Sequence, residues 1–266
     1  MKLSQIACLS IFSLLLAGCA TPAQRNPQDP FEPANRAIFK FNDTADKAII
    51  KPIAQGYTKV VPIVGRTMIG NFFSNLEDVV VAVNNVLQFK LRNAFSDAGR
   101  VLINTTIGVG GLVDVATITG LEKHDEDFGQ TLGYWGVGSG PYLMLPVLGP
   151  SDLRDGIGSY ADTFPSQLNQ IRPIYTRNQL ILTRGINRRA QLLDQEKMLE
   201  NATLDRYSFI RDAYLARRQS LVYDGDPPRE KDEDDDFGDE TATPTVPAAP
   251  SVDASVSKAT EPLASH

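Results

Sequence analysis

The segment EKHDEDF, residues 122–128, sets His124 beside Asp125, Glu126 and Asp127. Such residue types ligate divalent metals, and a histidine with a carboxylate supplies two members of a nucleophilic triad. Consecutive residues of one turn point in different directions, however, and the second histidine of the chain is its last residue, His266. A metal set therefore lacks its remaining ligands. The two cysteines, Cys8 and Cys19, both lie near the start. Carboxylate pairs occur at Glu77-Asp78 and Asp152/Asp155, where helix-end and turn roles compete with general acid–base work. Gly138-Ser139-Gly140 lacks the spacing of a nucleophile elbow. GVGSG follows no strand pattern and precedes no Lys-Ser/Thr pair, so it is not read as a phosphate loop. The sequence predicts no enzyme, no metal site and no cofactor.

One stretch asks for another kind of explanation. In GYWGVGSGPYLMLP, residues 133–146, Gly136, Gly138 and Gly140 alternate with apolar groups, and Pro141 ends the run. Glycines at this density permit positive φ, close backbone approach or reorganisation. Tyr134, Trp135 and Tyr142 suit a boundary that is greasy on one side and wet on the other. A moving gate and a rigid turn both fit. Arg154-Asp155, placed among glycines, fits an internal salt bridge or a headgroup contact, and the salt bridge is the favoured reading because burying a lone charge is costly.

The elements that must carry these groups are helical. An amphipathic helix is expected from about Pro33 to Pro52. A second spans about 66–89, its Ile69, Phe72, Phe73, Leu76, Val80, Val83 and Leu87 recurring at steps of three and four. Asn71, Asn75, Asp78 and Asn85 oppose that stripe, and Lys and Glu are scarce, unlike an ordinary surface helix. This fits both a core-to-water helix and one with lipid outside and polar groups inside. A helix from about Ser96 leads through a glycine break to a short helix. Two more run from Gln179 to Glu200 and from Leu204 to Tyr223, the last with Tyr207, Ile210, Tyr214 and Leu221 on one face and Arg211, Arg217 and Arg218 elsewhere. Ten basic residues against five acidic ones between Arg172 and Arg218 suit anionic headgroups or plain solvation. The fold class is all-α.

MKLSQIACLSIFSLLLAGCA has a positive start and an apolar stretch from Ile6 to Ala17, too short to span a bilayer comfortably. Leu16-Ala17-Gly18-Cys19 resembles a lipobox, which implies acylation of Cys19. Ala20 then points to the outer membrane. Residues 1–18 are the signal, 19–30 a polar tether, 31–223 the folded domain and 224–266 a tail. Twelve acidic residues against three basic ones give the tail −9 of the chain's formal −6, leaving the rest at +3. The tail is too poor in apolar residues to fold, and no nucleic-acid motif is present.

Ordered blocks run along the domain. Asp29-Pro30-x-Glu32-x-x-Asn35-Arg36 comes first, then Asn71-Phe72-x-x-Asn75-Leu76 and Asn104-Thr105 with Gly108-x-Gly110-Gly111. Phe128-Gly129-x-Thr131-Leu132-Gly133 leads into Gly136-Val137-Gly138-x-Gly140-Pro141-Tyr142, and Arg189-Ala190-x-Leu192-Leu193 and Arg211-x-Ala213-Tyr214 follow. This pattern, from Asp29 to Tyr223, resembles the MlaA (VacJ) family of outer-membrane phospholipid-transport lipoproteins. The resemblance implies a ring-like helical protein lying in the outer membrane around a polar passage. It implies that phospholipids mislocalised in the outer leaflet pass to a soluble periplasmic carrier, MlaC, beside a trimeric porin, so that lipid asymmetry is kept. It also sets Gly136, Gly138, Gly140 and Pro141 in a hairpin-like loop beside the passage. The alternatives are a porin-associated structural lipoprotein without transfer activity and a lipid hydrolase that depends on His124.

Overall fold

The structure, a computed structural model, describes residues 26–200 and 205–228. The signal segment, Cys19, most of the 19–30 tether and the tail beyond Pro228 lie outside the described residues. In chain order the helices are α1 (Glu32–Ala45), α2 (Lys51–Val60), α3 (Ile63–Leu87), α4 (Leu91–Thr106), α5 (Val115–Ile118) and α6 (Phe128–Tyr134). A hairpin of β1 (Tyr142–Leu145) and β2 (Gly149–Asp152) comes next. Helices α7 (Leu153–Ala161), α8 (Gln167–Gln170), α9 (Ile174–Glu200) and α10 (Arg206–Val222) complete the order. The all-α expectation holds. No helix among the described residues is long and apolar enough to cross a membrane.

Several helix starts are written into local chemistry. Asp114, Asp127, Asp152 and Asp205 cap α5, α6, α7 and α10, each side chain accepting a backbone N–H two or three residues on. A cap of this kind contributes about 1 kcal/mol. Pro33 sits in the first turn of α1, where its missing N–H costs nothing.

Boundaries differ from expectation in four places. The first helix does not stop at Pro52. A π-helical turn, Asp46–Ile50, links α1 to α2 without a break, and Pro52 sits at the start of α2. The wider turn accommodates a residue with no N–H to donate and a ring that would crowd an ordinary turn. Helix α4 begins at Leu91 rather than near Ser96, and α9 at Ile174 rather than Gln179. Asp29, placed at the end of the tether, is fully buried, so the folded part begins before residue 31.

The hairpin was not anticipated. Tyr142 pairs with Asp152 and Leu145 with Gly149, around a tip at Pro146–Leu148. Helix α1 supplies what a third strand would. Asn35 Nδ2 donates to the Tyr142 carbonyl and its Oδ1 accepts from Met144 N, at 3.0 and 2.9 Å. Seven residues on, and so on the same helix face, Asn42 Nδ2 donates to the Leu145 carbonyl and its Oδ1 accepts from Val147 N, at 2.9 and 2.8 Å. Two side-chain amides thus pair the open edge of β1.

What lies inside is unusual. Among the described residues nineteen polar or charged side chains are buried against ten apolar ones, four of which are alanine. The apolar cluster is small: Tyr142, Met144 and Tyr207, with Ile38, Phe39, Tyr214 and Leu215 around them.

Candidate functional site

Helix α4 shows the rule of this fold in one element. Phe95 and Leu102 are 78% and 65% exposed, while Asp97 and Arg100 are 0% and 1% exposed. On α3, Val83, Val86 and Leu87 face outward, whereas Asn75, Asp78, Asn84 and Asn85 are buried. Of the two arrangements that the 66–89 pattern allowed, the structure has the polar face inward. Water does not reward such a partition, since it leaves apolar area wet and desolvates polar groups. An apolar surrounding does.

Buried polar groups must find partners, and here they do so in connected sets. Arg100 is the hub of the first. Its guanidinium donates to Asp114 at 2.9 and 3.1 Å, to Asp78 at 3.4 Å, to Thr117 Oγ1 at 3.0 Å and to the Leu121 carbonyl at 2.7 Å. Asn104 donates to Asp114, and Lys123 reaches Asp78 from the outside. Burial alone would raise Asp114, but hydrogen bonds from Thr117, Asn104 and Arg100 hold it down at about 2.

The second set joins α3, α6 and the HDED turn. Asn84 Nδ2 donates to Asp162 and its Oδ1 accepts from Thr131, while Gln88 Nε2 donates to Glu126 and to Thr131. Lys90 pairs with Glu126 and Asp224. Asn85 Nδ2 donates to Asp97, whose other oxygen lies 3.0 Å from His124 Nδ1. Burial pushes Asp97 up against the pull of that histidine. The HDED turn is therefore split among separate partners: His124 goes to Asp97, Asp125 to Arg217, Glu126 to Gln88 and Lys90, and Asp127 to Arg218. No group of three His, Cys, Asp or Glu among the described residues is arranged to hold a metal ion.

The third set lies behind the glycine loop. Arg218 donates to both oxygens of Asp127, at 2.6 and 2.9 Å, and to Asp155 at 2.9 Å. Tyr214 donates to Asp155 at 2.6 Å, and Arg154 Nε donates to it at 3.0 Å. Arg154-Asp155 is a buried ion pair, as expected, within a larger network. Asp152 is fully buried; burial, together with the Asp155 charge, pushes it up to about 6. Arg211 likewise sits inward, with Tyr207 and Asp29. The expectation that Arg211 and Arg218 are displayed away from the Tyr207 stripe is thus corrected. Residues 207, 211, 214 and 218 share one helix face, and of the three arginines Arg217 is the exposed one.

The loop of residues 136–140 is itself mostly exposed. Gly136 and Gly140 adopt positive φ, +86° and +69°, as turn glycines do. Gly138 does not, and a Cβ there meets open space. Backbone bonds tie the far side of the loop to α7: Arg154 N donates to the Ser139 carbonyl and Leu153 N to the Pro141 carbonyl. Trp135, at the near side, donates to the Leu87 carbonyl and stacks edgewise on Phe89. Cys19 lies outside the described residues.

Comparison with known proteins places this arrangement. The family model described as MlaA lipoprotein matches residues 27–221. The "Intermembrane phospholipid transport system lipoprotein MlaA" of Escherichia coli K12 is 36% identical over 85% of this chain and 91% of its own length. The protein of the same description from Haemophilus influenzae is 28% identical over 85% of this chain and 93% of its own. A solved structure described as "Structural basis for maintenance of bacterial outer membrane lipid asymmetry" contains a chain of 37% identity and TM-score 0.66, spanning 74% of this chain and 100% of that one.

Proposed function

This chain belongs to the MlaA lipoprotein family, and from that premise we propose that it removes mislocalised phospholipid from the outer leaflet of the outer membrane. The lipid crosses a polar passage enclosed by the helices and goes to a soluble periplasmic carrier of the MlaC type, beside a trimeric porin. Its relatives, described as lipoproteins of an intermembrane phospholipid transport system, support this reading.

One observation carries it: apolar groups outside and hydrogen-bonded polar groups inside, in the same helices. A helix of that polarity is stable where hydrocarbon surrounds it. A phospholipid headgroup crossing such a body meets polar side chains rather than Phe and Leu. Acylated Cys19 anchors the chain in this scheme, at about 0.8 kcal/mol per buried CH₂. The loop at Gly136, Gly138, Gly140 and Pro141 gates the passage, its exposure and its open Gly138 giving it room to move.

The test is a deletion strain treated with a membrane-impermeant, amine-reactive reagent. Expected is a rise in surface-labelled phosphatidylethanolamine, reversed by the wild-type chain and without lysolipid or free fatty acid. Unchanged labelling would leave a porin-associated structural lipoprotein. Hydrolysis products released by purified protein, and lost in His124→Ala, would favour a hydrolase.

A further inference from the structure

Behind the glycine loop, the three nitrogens of one buried guanidinium meet three different anchors. Arg154 Nε donates to Asp155 at 3.0 Å. Its Nη2 lies 3.7 Å from Asp152 Oδ2, a buried oxygen with no hydrogen-bond partner of its own. Its Nη1 donates to the Val137 carbonyl at 3.5 Å. The same nitrogen passes Gly133, where a Cβ would stand 3.0 Å from it. The Arg154 backbone N–H donates to the Ser139 carbonyl at 3.1 Å. One residue therefore holds the loop at two carbonyls, on either side of Gly138.

The ion pair alone does not account for this placement. Asp155 also accepts from Arg218 at 2.9 Å and from Tyr214 at 2.6 Å, so it is not stranded without Arg154. A planar guanidinium fixed by two carboxylates presents its remaining donor in a set direction, and here that direction is the Val137 carbonyl. We propose that Arg154 is the positioning residue of the loop: its side chain, set by Asp152 and Asp155, latches Val137 while its backbone latches Ser139. Lysine carries a single ammonium and no fork, so it keeps Asp155 but not Val137 as well. The proposal rests on the reading of residues 136–140 as the gate of the passage, because a gate needs something to hold its position.

The test is hydrogen–deuterium exchange, resolved to single amides, on the full, lipidated chain in dodecyl maltoside micelles, with the wild type set against Arg154→Lys. Three amides read the loop: Val137, bonded to the Leu132 carbonyl, and those of residues 153 and 154, bonded to the Pro141 and Ser139 carbonyls. The amides of Asp155 and Met144, which donate to the Asp152 and Asn35 side chains, read the surroundings. Expected is exchange at least about threefold faster at the loop amides, the lower worth of one hydrogen bond, with Asp155 and Met144 unchanged. Unchanged loop amides would overturn the latch. Equal acceleration at the loop and at Asp155 and Met144 would overturn it too, since a merely structural ion pair loosens everything around it. Arg154→Gln repeats the measurement should Arg154→Lys misfold, and failure of both to fold would make the residue structural and end the proposal. Surface labelling of phosphatidylethanolamine in the deletion strain carrying Arg154→Lys reads the gate separately. Faster loop amides with wild-type labelling would uphold the latch and refute the gate, whereas unchanged loop amides with raised labelling would overturn the latch alone.

Discussion

Replacing Arg100 with methionine removes the hub of the first buried network while nearly keeping its volume. Five donated contacts disappear: two to Asp114 and one each to Asp78, Thr117 and the Leu121 carbonyl. The partners are not equally harmed. Thr117 keeps its bond to Asp114, and Asp114 keeps Asn104 and is 29% exposed. Asp78 is 1% exposed and retains Lys123 alone, from the outer side. Breaking a buried pair by removing one partner costs about 3–5 kcal/mol, because the other charge is left uncompensated. Most of that loss should fall on Asp78. Urea titration of the full chain in detergent micelles, followed by helical circular dichroism, should therefore show Arg100→Met less stable by about 3–5 kcal/mol. Adding Asp78→Asn should recover at least about 1 kcal/mol of it, a coupling that independent sites do not show. A loss below about 1 kcal/mol, or strictly additive effects, would refute the view that the polar interior depends on paired charge.

Four further outcomes follow from the same structure. Asp152 has its folded value near 6 against an ordinary 3.8. The folded form therefore binds the extra proton, and stability should fall as pH rises from about 4 to about 6; Asp152→Asn should flatten that slope, and an unchanged slope would remove Asp152 as its source. Asn42→Ala loses two hydrogen bonds to the hairpin, worth about 1–2 kcal/mol together, and should speed amide exchange at Val147; unaltered exchange there would deny the clamp. Gly138→Ala meets no atom and no positive-φ strain, so it should fold normally while stiffening the loop and altering lipid transfer; transfer at the parental rate means the loop is no gate. Cys19→Ala should yield a chain without acyl mass that no longer fractionates with the outer membrane, and normal fractionation would sink the anchor.

The sequence by itself determined the long helices and the family, because these signals are local. Periodicity and ordered short blocks can be read within a few residues. It also contained the polarity of the 66–89 helix, in its asparagines and its lack of Lys and Glu, but not the direction of that polarity. Two opposite orientations share one period, and only contact with α4 and α6 turned Asn75, Asp78, Asn84 and Asn85 inward. The ion pairs between distant segments were illegible for a related reason. Arg100 meets Asp78 and Asp114, and Arg218 meets Asp127, across separations of 14 to 91 residues that carry no local pattern. Arg211 and Arg218 look like surface cations until a buried carboxylate is brought to each. The hairpin escaped notice because its strands are four residues long and its open edge is paired by the Asn35 and Asn42 side chains of a helix. Tertiary structure decided these points, since whether a charge belongs inside depends on what a distant segment sets against it.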